Sequence, residues 1–213
     1  MSCSMLALVV LLGLGHIVAR TWGQARLGGV LKPLPIALLV AVTLRADGGE
    51  AASYRSLVAA ALLASMAGDV FLLSPRRFVP GLASFLVAHL LYIAAFAPAA
   101  QVDAAAFVLL VPFVAFAAVV LRHLWPHLGH DRVAVCIYVA VIVLMGWLAL
   151  LRAVGGEVAP DSGVLALVGA VAFMASDTTL ASDRFARPFR GAEVVVMGTY
   201  YLAQLLLALS AVV

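Results

Sequence analysis

Charge is scarce in this chain. Of its 213 residues, 11% are charged and 66% are hydrophobic, whereas a soluble domain carries about a quarter charged residues. So few polar groups cannot cover a water-facing surface, which excludes a soluble globular domain and makes lipid the solvent for most of the chain. Cysteine is scarce too. Cys3 and Cys136 lie far apart in apolar runs, which excludes a disulfide framework or a thiolate zinc spacing. The opening MSCSMLALVVLLGLGHIVAR lacks the positive leading region of a secretory signal peptide and reads as a retained first helix. Period-2 alternation is missing, which argues against a membrane barrel, and an open sheet would leave backbone groups unpaired in lipid. The formal charge of +3 does not point to nucleic acid. The basic residues fall in short loops, where they set membrane orientation.

What is present is a series of eight apolar segments, over 2–19, 29–44, 56–74, 79–97, 104–121, 133–151, 162–182 and 192–213. At roughly 20 residues per crossing, this predicts an all-α polytopic membrane protein. Residues 1–213 are expected to form one integral-membrane domain, a bundle of eight transmembrane helices. The connections are short and punctuated by Gly, Pro and Arg. Lys32, Pro33 and Pro35 crowd the start of the second segment. Proline is tolerated in a first helical turn, so this helix is expected to begin near Pro33, with Lys32 at the interface. The loops joining segments 1–2, 3–4, 5–6 and 7–8 hold nine arginines, against Arg45, Arg55 and Arg152 on the other side. The positive-inside rule then predicts a multi-pass protein of the cytoplasmic membrane, with both termini outside.

Two aspartates break this pattern. Asp69, in MAGDVFLLS, and Asp177, in MASDTTLAS, each stand five residues before the serine that closes their segment. That is roughly 7 Å inside the cytoplasmic end. The offset of 108 that aligns them also aligns Ser74 with Ser182 and Arg76 with Arg184. The chain therefore reads as a possible parallel repeat of four helices plus four. Lys32 enters from the same side and shares their layer. A charge near membrane depth costs about 2.5–3.5 kcal/mol or more and usually faces the bundle interior. A structural ion pair would need one aspartate, whereas a functional site accounts for two. Two carboxylates in one low-dielectric site do not both ionise easily, and the division yields a general acid and a general base. Hydrolysis of a glycosidic or enol-type ether needs such a pair. Which aspartate takes which part stays open.

Other polar residues mark an internal seam. His89 and Tyr92 share a helix face, and Tyr200 and Gln204 are four apart in segment eight. Interhelical hydrogen bonding and pocket lining both fit His89 and Tyr92, while bonding suits Gln204 better. The loop RHLWPHLGHDR spaces His123, His127 and His130, but Pro126 breaks the helix that would align the first two. Only Asp131 is at hand to complete four ligands, so no metal site is expected. His16 stands alone and reads as structural. Arg76, Arg77, Arg184, Arg187 and Arg190 lie just outside the aspartate layer, where they serve topology or hold a substrate phosphate.

Five motifs in order resemble the YhhN family, the bacterial relatives of the mammalian TMEM86 lysoplasmalogenases. They are KPLP, GDVFLL, FLVAHLLY, SDTTLASDRF and YYLAQ, and with the eight-helix count they cover essentially the whole chain. The resemblance implies hydrolysis of the vinyl ether bond of a lysoplasmalogen, giving a fatty aldehyde and glycerophosphoethanolamine or glycerophosphocholine. It implies Asp69 and Asp177 as the catalytic pair and the lipid bilayer as setting. Lys32, His89, Tyr92, Tyr200, Gln204 and Arg187 are the candidates for binding substrate. Acid, cation-stabilising and base roles can all fall to the two aspartates, so no cofactor is required. The rival readings are a small proton-coupled transporter, which also uses intramembrane carboxylates, and a metal-dependent lipid hydrolase built on His89 and the loop histidines. Nothing in the sequence fixes an oligomeric state.

Overall fold

A computed structural model describes residues 3–46, 48 and 50–213; the Cys3 side chain lies outside the description. The helices are α1 (Cys3–Thr21), α2 (Ala25–Leu31), α3 (Leu34–Arg45), α4 (Ala52–Leu72), α5 (Phe78–Phe96), α6 (Ala104–Leu124), α7 (Arg132–Val154), α8 (Pro160–Ala181) and α9 (Ala192–Ser210). Among the described residues there is no strand. Eight helical stretches are long and apolar enough to cross a membrane, with α2 and α3 together forming the second. In lipid every backbone polar group must be satisfied internally, and long apolar runs do this as helices. Leu11, Val79, Val108 and Val133 stay exposed, as side chains facing acyl chains do.

The second span departs from expectation. Helix begins at Ala25 rather than near Pro33, and the break comes in mid-span at Lys32–Pro33. Lys32 is buried in the bundle, not held at an interface. The cause is local. Pro33 and Pro35 have no N–H, so the regular bonds to the carbonyls of Gly29 and Leu31 cannot form. Two neighbouring carbonyls take side-chain partners, that of Gly28 in addition to the Lys32 N–H. His16 Nδ1 lies 2.8 Å from the Gly28 carbonyl, and the Tyr201 hydroxyl donates to the Lys32 carbonyl at 3.0 Å.

Small residues let the central helices approach closely. A Cβ on Gly169 of α8 would stand 3.2 Å from the Ala203 carbonyl of α9, and one on Gly68 of α4 would meet the Phe85 ring of α5 at 2.7 Å. The inward stripe of α4 runs Val58, Ala61, Leu62, Ser65, Gly68, Asp69. That of α8 runs Ala166, Gly169, Ala170, Phe173, Ser176, Asp177. Each member of the second stripe lies 108 residues after its counterpart in the first. Both aspartates thus continue an i, i+3, i+4 buried stripe, and that periodicity turns them inward.

At the other end of the bundle sits Arg152, which the charge count treats as a loop residue. The α7 helix continues past it to Val154, and the side chain is 1% exposed. Its Nη2 lies 2.9 Å from Glu50 and donates to Ser162 Oγ at 2.8 Å, while the guanidinium covers the Tyr54 ring. Ser162 donates in turn to the Ser210 carbonyl. This network ties the α3–α4 loop to α7, α8 and the end of α9.

Candidate active site

Asp69 and Asp177 line one cleft of about 250 Å³, together with Lys32, Phe85, Ser176 and Tyr200. Asp69 is in the last turn of α4 and Asp177 in the last turns of α8. Phe78, Leu180, Asp183 and Glu193 complete much of the wall. The chain between α8 and α9 leaves the bundle through a π-type turn over Ser182–Ala186, and this turn delivers Asp183 to the cleft.

Each aspartate has its own partners, drawn from distant parts of the chain. Asp69 Oδ2 accepts a 2.6 Å hydrogen bond from the Tyr200 hydroxyl of α9. Its Oδ1 lies 3.5 Å from the Lys32 ammonium. Asp177 Oδ2 accepts a 2.8 Å hydrogen bond from the Tyr138 hydroxyl of α7, and His89 Nε2 of α5 lies 3.4 Å from the same oxygen. No hydrogen bond or ion pair among the described residues joins the two carboxylates. A directly bonded dyad is therefore not what the fold builds; the two acids face a common cleft from separate cradles.

The cradles follow the repeat at the level of whole spans. The first partner comes from the span preceding the aspartate: Lys32 in the second span, Tyr138 in the sixth. The second partner comes from the last span of the opposite half: Tyr200 in the eighth, His89 in the fourth. Lys32 and Tyr138 fall within two residues of the same register. The likeness is one of spans and not of residues, since the offset carries Lys32 to Ala140 and His89 to Met197; the two sites are alike in plan but unlike in charge.

The remaining candidates divide. Tyr200 and Lys32 line the cleft. His89 is fully buried behind Asp177, with its ring 4.5 Å from that of Phe173. Tyr92 and Gln204 are also fully buried, and the Tyr92 hydroxyl donates to Gln204 Oε1 at 2.8 Å. They bond helix to helix and stand outside the cleft wall. Arg187 is exposed and is likewise not a wall residue; Arg184 stacks on Phe78. Sequence reasoning missed Tyr138, Asp183 and Glu193. Tyr138 had a visible signal, being a phenol in the otherwise apolar run VAVCIYVAVIV. Asp183 and Glu193 had none, since they read as ordinary loop and helix-start acids.

Residues 28–211 match the model of the YhhN family. The chain belongs to that family. Within and around it, the chain is 36% identical over 183 residues to "Lysoplasmalogenase TMEM86B" of Sus scrofa, covering 86% of this chain and 74% of that one. It is 37% identical over 158 residues to the Homo sapiens protein of the same name, covering 74% of this chain and 64% of that one. A YhhN protein of Escherichia coli O157:H7, called an uncharacterized membrane protein, is 31% identical over 191 residues, which is 85% of each chain. No solved structure matches. The YhhN match begins four residues before Lys32 and ends after α9, so it spans every side chain of both aspartate cradles.

Proposed function

We propose that this YhhN-family chain is a membrane-embedded hydrolase that cleaves the vinyl ether bond of a lysoplasmalogen. The observation that carries the reading is the pair of buried carboxylates lining one cleft near the helix ends. The likeness to proteins named lysoplasmalogenase supports it. The chain acts as one membrane domain, in this reading in a bacterial cytoplasmic membrane with its termini outside and its aspartates near the cytoplasmic face.

The chemistry follows from the substrate. One carboxyl gives its proton to the outer alkene carbon, whose π electrons form the new C–H bond, and the ether oxygen shares the resulting positive charge. The second carboxylate stabilises that oxocarbenium ion. It then takes a proton from the water that adds to the cationic carbon. The hemiacetal collapses as its hydroxyl proton returns to the first group and the second protonates the departing glycerol oxygen. Vinyl ether and water become aldehyde and alcohol, and both aspartates regain their starting states. The alkenyl chain lies along apolar helix faces. The headgroup sits at the mouth of the cleft, where Asp183 suits the cationic amine of an ethanolamine or choline lysolipid; Glu193 on the same wall is already paired with Arg20.

The test is aldehyde release from a lysoplasmenyl lipid by the purified full chain in detergent. Aldehyde formed by wild type and abolished in Asp69→Asn and Asp177→Asn is the expected result. Folded wild-type protein that yields no aldehyde with either headgroup refutes the reading and leaves the paired carboxylates to transport.

A further inference from the structure

We propose that the two aspartates have fixed and different parts: Asp177, held by Tyr138, carries the proton given to the alkene carbon, and Asp69, paired with Lys32, is the carboxylate that receives one from water. This rests on the hydrolase reading for its catalytic meaning, but the placement of the proton can be tested without it.

The argument starts from charge balance. Among the described residues Lys32 is the one ammonium lining the cleft, and it faces Asp69. Asp69 is 1% exposed, and both its oxygens are occupied, one by the ammonium and one by the Tyr200 hydroxyl. A buried carboxylate so compensated keeps its charge. A proton added there would give up the pairing with the ammonium.

Asp177 has no such counter-charge. Among the described residues no lysine or arginine forms an ion pair with it; its neighbours are the Tyr138 hydroxyl and His89. An isolated buried charge is costly, and the group becomes neutral instead. His89 does not supply the missing cation. Its ring is fully buried among Phe173 and Tyr138, and Nε2 comes no nearer to Asp177 than 3.4 Å. An imidazolium and a carboxylate there would bury two ions away from water, whereas a neutral ring beside a neutral carboxyl buries none. The proton therefore belongs on Asp177.

Hydrogen-bond geometry then selects the oxygen. Tyr138 and His89 both approach Oδ2, and Oδ1 has no partner among the described residues. The proton sits on Oδ1. The residue is 9% exposed and lines the cleft, so Oδ1 is the oxygen available to a bound alkene. Tyr138 is a positioning residue. By occupying Oδ2 it fixes the carboxyl rotation that presents Oδ1–H.

The reaction balances under this division. Proton transfer from Asp177 leaves it a carboxylate while the substrate becomes an oxocarbenium ion, so no net charge is created in the cleft. Asp69 then accepts the water proton, and the hemiacetal collapse returns one proton to Asp177 and moves the other from Asp69 to the glycerol oxygen.

Infrared difference spectroscopy on the detergent-purified full chain at neutral pH tests this. A protonated buried carboxyl shows a C=O stretch separate from carboxylate bands. The expected result is such a band in wild type and in Asp69→Asn, and its loss in Asp177→Asn. A band lost in Asp69→Asn instead, or absent from wild type, overturns the assignment. In Tyr138→Phe the band should persist but shift to higher frequency, because the carboxyl loses a donor, and kcat should fall while KM holds. An unshifted band overturns the role of Tyr138. Spectra as expected with no aldehyde formed would keep the proton on Asp177 and refute the hydrolase reading alone.

Discussion

Replacing Tyr200 by phenylalanine isolates one contact. The ring is packed edge-on against Phe85 and Phe173 at centroid distances of 5.8 and 5.7 Å, and phenylalanine keeps those contacts. What is lost is the 2.6 Å hydrogen bond to Asp69 Oδ2. A hydrogen bond to a charged group is worth about 1.5–3 kcal/mol. If all of it acts while positive charge develops beside Asp69, kcat falls by roughly 10- to 150-fold. Lys32 still faces Oδ1, so the loss should lie toward the lower end, with KM little changed. Aldehyde release measured against substrate concentration gives both constants, and thermal unfolding in detergent reports the fold. Tyr92→Phe is the control. It sits 108 residues earlier and bonds Gln204 away from the cleft, so it should cost about 0.6 kcal/mol of stability and spare kcat. If Tyr200→Phe turns over within about twofold of wild type while remaining folded, Asp69 is not the supported carboxylate of the reaction.

Other outcomes follow from the same contacts. Arg152→Met leaves Glu50 without its partner and should destabilise the fold by about 3–5 kcal/mol, lowering the unfolding temperature while kcat per folded molecule is kept. Gly68→Ala drives a Cβ to 2.7 Å from the Phe85 ring; overpacking of this kind costs about 1–3 kcal/mol, and because Phe85 lines the cleft, KM should rise as well. Asp183→Asn at the mouth should raise KM for lysolipids with a cationic headgroup and not for an uncharged analogue. Equal KM values for the two would remove Asp183 from headgroup recognition.

The linear sequence determined the architecture because membrane insertion is read from local composition. Apolar length set the spans, proline marked the trouble in the second one, and the stripes leading to Asp69 and Asp177 are periodic within single helices. The offset of 108 was legible for the same reason. What tertiary structure decided was which side chains meet. Tyr138 with Asp177, and Tyr200 and Lys32 with Asp69, are encounters across 39, 131 and 37 residues, and no helical period encodes a partner on another helix. The depth of Lys32 was misjudged on the same ground. Two prolines can start a helix or break one, and only packing against His16 and Tyr201, whose side chains meet the carbonyls around the break, selects the break. Composition fixed that two acids would be buried; the unequal charges that surround them exist only once the bundle has closed.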